Sequence, residues 1–113
     1  MIKLTSLEDL ITSLIAKSLG EDAIIFKVYD NGFECISNKC KFSVSKNQSL
    51  RIYNNGDIYL IQNILPYNFS EAFDVIIRNE AERLSKYYKL IIYTEKPGKD
   101  FEVKVYKLTL LTD

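Results

Sequence analysis

The sequence predicts a single α+β domain over residues 1–113: an antiparallel sheet with two helices packed on one face, in the order helix, five strands, helix, two strands. Three observations carry this. Apolar residues recur at spacings of three and four over residues 5–20 and again over 68–87. Elsewhere they alternate with polar ones, the period of a half-buried strand. Asn-Gly dipeptides at Asn31-Gly32 and Asn55-Gly56 interrupt that alternation, and Asn-Gly tolerates the positive φ angles of a two-residue hairpin turn.

The first helix places Leu7, Leu10, Ile11, Leu14, Ile15 and Leu19 on one face. Thr5 with Glu8, or Ser6 with Asp9, can cap its start, and Gly20 stands where a left-handed C-terminal cap is wanted. A five-stranded meander follows over about residues 23–64. Asn31-Gly32 pairs Val28 with Cys35. A turn at Ser37-Asn38 pairs Cys35 with Cys40 and Phe33 with Phe42. A loop at Lys46–Gln48 pairs Phe42 with Ile52, and Asn55-Gly56 pairs Ile52 with Tyr59. These four assignments agree in sending Val28, Phe33, Cys35, Cys40, Phe42, Val44, Leu50, Ile52, Tyr59 and Ile61 to one face; a one-residue slip would break the set.

Pro66 ends the meander, and Asn68 with Glu71 offers a second capping box. The second helix carries Phe69, Phe73, Ile76, Ile77, Leu84 and Tyr88 on an apolar stripe, with Glu82 and Lys86 at a favourable four-residue spacing. Residues 88–95 and 101–111 read as strands joined through Lys96-Pro97-Gly98-Lys99-Asp100. Phe101, Val103 and Val105 have one parity, Leu108 and Leu110 the other, so a bulge near Tyr106-Lys107 is expected.

Composition excludes several activities. The chain has 15 Lys plus Arg, 15 Asp plus Glu, and no His. Without His there is no Ser-His-Asp triad, no imidazole-ligated metal and no imidazole pH switch. The charges are spread evenly along the chain, so any surface able to bind nucleic acid by counterion release must be a local patch. Four glycines supply no phosphate-cradling loop. No apolar run approaches the roughly 20 residues that span a bilayer, and the acidic start does not resemble a signal peptide. A cytoplasmic protein with no cofactor and no membrane partner is expected. Ile, Lys, Asn and Tyr, all with AT-rich codons, dominate the composition, as in low-GC genomes, viral and crenarchaeal ones among them.

Two features point to chemistry. Cys35 and Cys40 are cross-strand neighbours in the expected register, at a spacing that a disulfide can span; two thiolates alone do not complete a zinc site. Glu102-Val103-Lys104, with Asp100 or Glu95 nearby, resembles the acidic-x-Lys element of restriction-type nucleases, in which carboxylates hold Mg²⁺ and the lysine positions water. Such folds carry a further Asp on an adjoining strand and a helix after the motif, and this sequence has no matching helix.

The face of the meander turned away from the helices is the expected functional surface. The register builds a row of Tyr29, Glu34, Lys41, Tyr53 and Ile58, flanked by Ile36, Arg51 and Leu60. Tyr among Lys and Arg on a sheet suits single-stranded nucleic acid in chemistry, and is also ordinary for an exposed strand face. Aliphatic residues make the face too apolar to be fully solvated. Tyr29, Ile36, Lys41, Arg51, Tyr53, Ile58 and Leu60 are therefore assigned to partner binding: a small non-enzymatic accessory protein that forms a homo-oligomer, or binds another protein, through this face or through an open strand edge.

Overall fold

The computed structural model describes residues 2–4, 6–18, 20–29, 32–38, 41–45, 50–54, 57–61, 68–100 and 102–111. At 2–4, 17, 41, 42, 44, 45, 50–54 and 57–61 it describes the main chain alone. The elements are β1 (Ile2–Leu4), α1 (Leu7–Lys17), β2 (Ala23–Tyr29), β3 (Gly32–Ile36), β4 (Lys41–Ser45), β5 (Leu50–Asn54), β6 (Asp57–Ile61), α2 (Phe69–Arg83), β7 (Tyr88–Glu95) and β8 (Val103–Leu110). Among the described residues no helix is long and apolar enough to cross a membrane.

Helix α1 starts as its sequence dictates. The Ser6 hydroxyl accepts from the Asp9 backbone N–H at 3.2 Å, satisfying a donor that has no partner within the helix. Glu8 and Asp9 in the first turn complement the helix dipole. After the helix, Gly20 takes φ +101°, a conformation that side chains with a Cβ resist. The buried Tyr88 hydroxyl donates to the Ser18 carbonyl at 2.7 Å, tying the end of α1 to β7. Leu7, Leu10, Ile11, Leu14 and Ile15 are all buried.

The larger sheet runs β4-β3-β2-β8-β7, antiparallel throughout. Both helices lie on one face of it: side chains from α1 and α2 share a core with Ile24, Phe26 and Val28 of β2, Phe33 and Cys35 of β3, and Tyr106 and Leu108 of β8. Phe73 of α2 sits at the centre, its ring 5.1 Å from Phe33, 5.3 Å from Tyr106, 5.5 Å from Phe26 and 5.8 Å from Phe69. Such tilted and edge contacts add about 0.5–1.5 kcal/mol each beyond area burial.

The α+β class, the antiparallel sheet and the two helices are as expected; the five-stranded meander is not. β4 pairs with β3 and not with β5. Instead β5 and β6 form a small second sheet with β1, which pairs parallel to β6 (Ile2 opposite Ile58) and which periodicity over three residues cannot announce. The Asn55-Gly56 register holds, with Ile52 opposite Tyr59 and Leu50 opposite Ile61. The first two hairpins slip by two residues: Val28 faces Phe33 rather than Cys35, and Cys35 faces Phe42 rather than Cys40. An even slip keeps every side chain on its expected face, so Val28, Phe33 and Cys35 are buried together as foreseen. It also separates Cys35 from the cross-strand position expected of Cys40, which itself lies outside the described residues, as do Thr5, Leu19, both Asn-Gly turn asparagines and Phe101.

Helix α2 begins without a capping box, since the Asn68 side chain makes no cap hydrogen bond. It ends at Arg83, which bonds Glu80 at 2.8 Å; Lys86 falls beyond the helix, so the helical Glu82–Lys86 spacing is not realised. Strand β8 needs no bulge, for its ladders to β2 and β7 are continuous. It is central, and both its faces are covered: Tyr106 and Leu108 toward the helices, Val103 and Val105 away from them.

Candidate interaction surface

The helix-free face of the larger sheet is a set of short rows. Glu34, Lys27, Val105 and Tyr93 lie side by side across β3, β2, β8 and β7; the next row holds Ile36, Ile25, Lys107 and Ile91. Lys27 and Glu95 flank β8 and meet at 3.4 Å, a bridge that spans the strand where Val103 and Val105 are buried. The Tyr29 hydroxyl donates to Glu34 Oε1 at 3.2 Å. Burial, then the charge and hydrogen bond of Glu34, push this phenol above its usual pKa. Among the side chains described on this face, Lys27, Lys89 and Lys107 alternate with Glu34 and Glu95.

The seven residues assigned to partner binding do not form one row. Tyr29 and Ile36 lie on this face, half-buried, and the backbone of Lys41 stands opposite Ile36. Arg51, Tyr53, Ile58 and Leu60 belong to the smaller sheet, paired as expected (Arg51 with Leu60, Tyr53 with Ile58). The row breaks between Lys41 and Tyr53 because β4 and β5 do not pair; a short connection permits a hairpin but does not impose one.

A feature the meander hid is the outer edge of β7. Among the described residues this eight-residue strand has no partner beyond β8. Its ladder to β8 includes the Leu111 N–H bonded to the Tyr87 carbonyl, and β8 bonds β2 in the alternate phase, Leu110 N–H to the Asp22 carbonyl. By the alternation of antiparallel pairs, odd-numbered residues of β7 bond to β8. The N–H and C=O groups of Tyr88, Leu90, Ile92 and Thr94 therefore point outward. Natural edges are guarded by shortness, proline, bulges or charged side chains, lysine above all; β7 is eight residues long, has no proline and keeps a continuous ladder to β8, and its guards are Lys89 and Glu95. Four of the five large hydrophobics most exposed among the described residues, Tyr87, Ile91, Tyr93 and Leu111, lie on β7 or at its head, Ile91 at 40% and Tyr93 at 41%.

On the helix-covered side, a cleft of about 710 Å³ is lined by residues including Ser70, Lys96, Lys99, Asp100, Glu102 and Lys104. Glu102 pairs with Lys96 at 3.2 Å. Lys104 Nζ lies 3.3 Å from Asp74 Oδ1 and 5.4 Å from the Tyr106 ring centroid. Asp74 also accepts from the Tyr106 hydroxyl at 2.6 Å and from Arg78 Nε at 2.7 Å. Partial desolvation opposes the Asp74 charge, but the bonds from Tyr106, Arg78 and Lys104 outweigh it and hold the carboxyl below its usual range. Burial and the neighbouring carboxylate push the Tyr106 phenol well above its usual range. Glu102 and Lys104 thus have separate partners, and among the described residues no group of three Cys, Asp or Glu is placed to hold a metal ion.

These elements define an α+β protein with an antiparallel sheet, two helices on one face and, among the described residues, a β7 edge with no strand partner. The chain matches no protein-family profile, no curated protein sequence and no solved structure.

Proposed function

We propose that this is a small intracellular, non-enzymatic interaction protein that self-associates by strand addition along β7, with the adjoining mixed face contributing side-chain contacts. The supporting observation is the outward row of main-chain donors and acceptors on β7 beside exposed Ile91 and Tyr93. Strand addition draws its affinity from such main-chain groups, and its specificity from alternate side chains.

Thr94→Pro tests this. Thr94 is exposed and its N–H faces the open edge, so proline there removes an outward donor without breaking the ladder to β8. In sedimentation velocity over a concentration series, the wild type is expected to dimerise. Thr94→Pro is expected to stay monomeric with an unchanged circular dichroism spectrum. A wild type that remains monomeric at its solubility limit, or a Thr94→Pro dimer as tight as wild type, overturns the proposal. Leu60→Glu is the control on the smaller sheet: if it alone dissociates the dimer, association runs through Arg51, Tyr53, Ile58 and Leu60 instead. Salt-sensitive binding of a single-stranded oligonucleotide, lost in Lys41→Glu, would move the function to nucleic acid.

A further inference from the structure

We infer that the occupant of the β7 edge is β7 of a second copy, antiparallel, with the two-fold axis passing beside Ile92. The inference rests on the strand-addition reading above and goes beyond it by fixing partner and register.

Hydrogen-bond phase limits the registers. Only even-numbered residues of β7 present main-chain groups outward, so bonded pairs across the new edge must match even with even. With Ile92 opposite the partner's Ile92, Leu90 bonds the partner's Thr94 and Tyr88 the partner's Lys96. The odd residues then form the closer, non-bonded pairs, with Cα atoms about 4.5 Å apart. Ile91 stands against the partner's Tyr93, and Lys89 against the partner's Glu95. Each contact occurs twice by symmetry. The two exposed hydrophobics of each β7 are covered, and β7's two charged residues meet opposite charges.

The neighbouring allowed registers set one exposed hydrophobic of each β7 against a charged residue and pair neither charge with its opposite. Ile91 opposite the partner's Ile91 sets Lys89 against the partner's Tyr93 and Glu95 against the partner's Tyr87. Tyr93 opposite the partner's Tyr93 sets apolar Ile91 against the partner's Glu95. Cross-strand opposite charges are favourable and mismatches are not, so charge selects the Ile92 register. Glu95 also keeps Lys27 at 3.4 Å within its own chain, leaving its carboxylate between two cations.

Complementary charge variants read the register directly. In Lys89→Glu each interface pair becomes Glu against Glu; in Glu95→Lys it becomes Lys against Lys. Each variant alone is expected to dimerise roughly tenfold more weakly than wild type. Mixed in equal amounts, the two form a heterodimer in which both pairs are complementary, so affinity returns to near the wild-type value. Loss of dimer in Thr94→Pro, with no effect of either charge variant and no recovery on mixing, overturns the register and leaves strand addition standing. A Thr94→Pro dimer as tight as wild type overturns both. Unchanged circular dichroism in the separate variants excludes misfolding as the source of weakening.

Discussion

The Asp74–Tyr106 pair makes the most quantitative claim on the folded state. Tyr106 is fully buried on β8, and its hydroxyl has the carboxylate of α2 as acceptor at 2.6 Å. Tyr106→Phe keeps the ring against Phe73 and deletes that one bond. A hydrogen bond to a charged group is worth about 1.5–3 kcal/mol, and Asp74 is partly solvated, so a loss of about 1.5 kcal/mol is expected. Asp74→Ala leaves the buried hydroxyl without its acceptor, at a cost of about 1–3 kcal/mol. Arg78 and Lys104, both near the surface, regain water and add little. The double variant should be less destabilised than the sum, with a coupling of about 1–2 kcal/mol. Urea melts at neutral pH with a constant m-value measure it. The pH dependence has a fixed sign. The folded carboxyl pKa is depressed, so its stabilisation is complete above the unfolded value near pH 4 and fades as pH falls through the folded value. The phenol pKa is raised, so its contribution holds below about pH 10 and is lost above it. Additive single variants, or a coupling unchanged in acid, would refute this account.

Two further outcomes follow from packing and backbone geometry. Phe73→Ala empties the centre of the aromatic cluster and should cost about 3–5 kcal/mol, a large share of the roughly 5–15 kcal/mol holding a typical domain; thermal unfolding that shifts by only a degree or two would contradict the packing. Gly20→Ala meets no neighbouring atom but must adopt φ near +101°, so a loss of about 1 kcal/mol from backbone strain alone is expected, and an unaltered urea midpoint would count against the left-handed turn.

Local features of the fold were legible because each is set by a few adjacent residues. Ser6 caps α1, Gly20 turns after it, and the Asn55-Gly56 register pairs Ile52 with Tyr59. The faces of β2 and β3 survived even a two-residue slip, since parity rather than register decides which side chain meets the helices. Strand partnership was not legible in the same way. Four residues between β4 and β5 fit a hairpin loop equally well whether the strands pair or part company, and nothing in 46–49 distinguishes the cases.

One signal did bear on long-range pairing, and it also locates the candidate site. In β8, Val103 and Val105 have one parity, Tyr106 and Leu108 the other. A bulge can reconcile that pattern with a single buried face, but a strand apolar on both faces is equally the mark of a central position. A central β8 needs a second neighbour besides its hairpin partner β7, and β2, whose side chains alternate between half-buried and buried, offers the free edge. Once β8 occupies that edge, β7 becomes the last strand of the sheet, with Ile91 and Tyr93 left on its open face. The pairing that closes the second edge of β2 is thus the same event that leaves β7 outermost in the sheet.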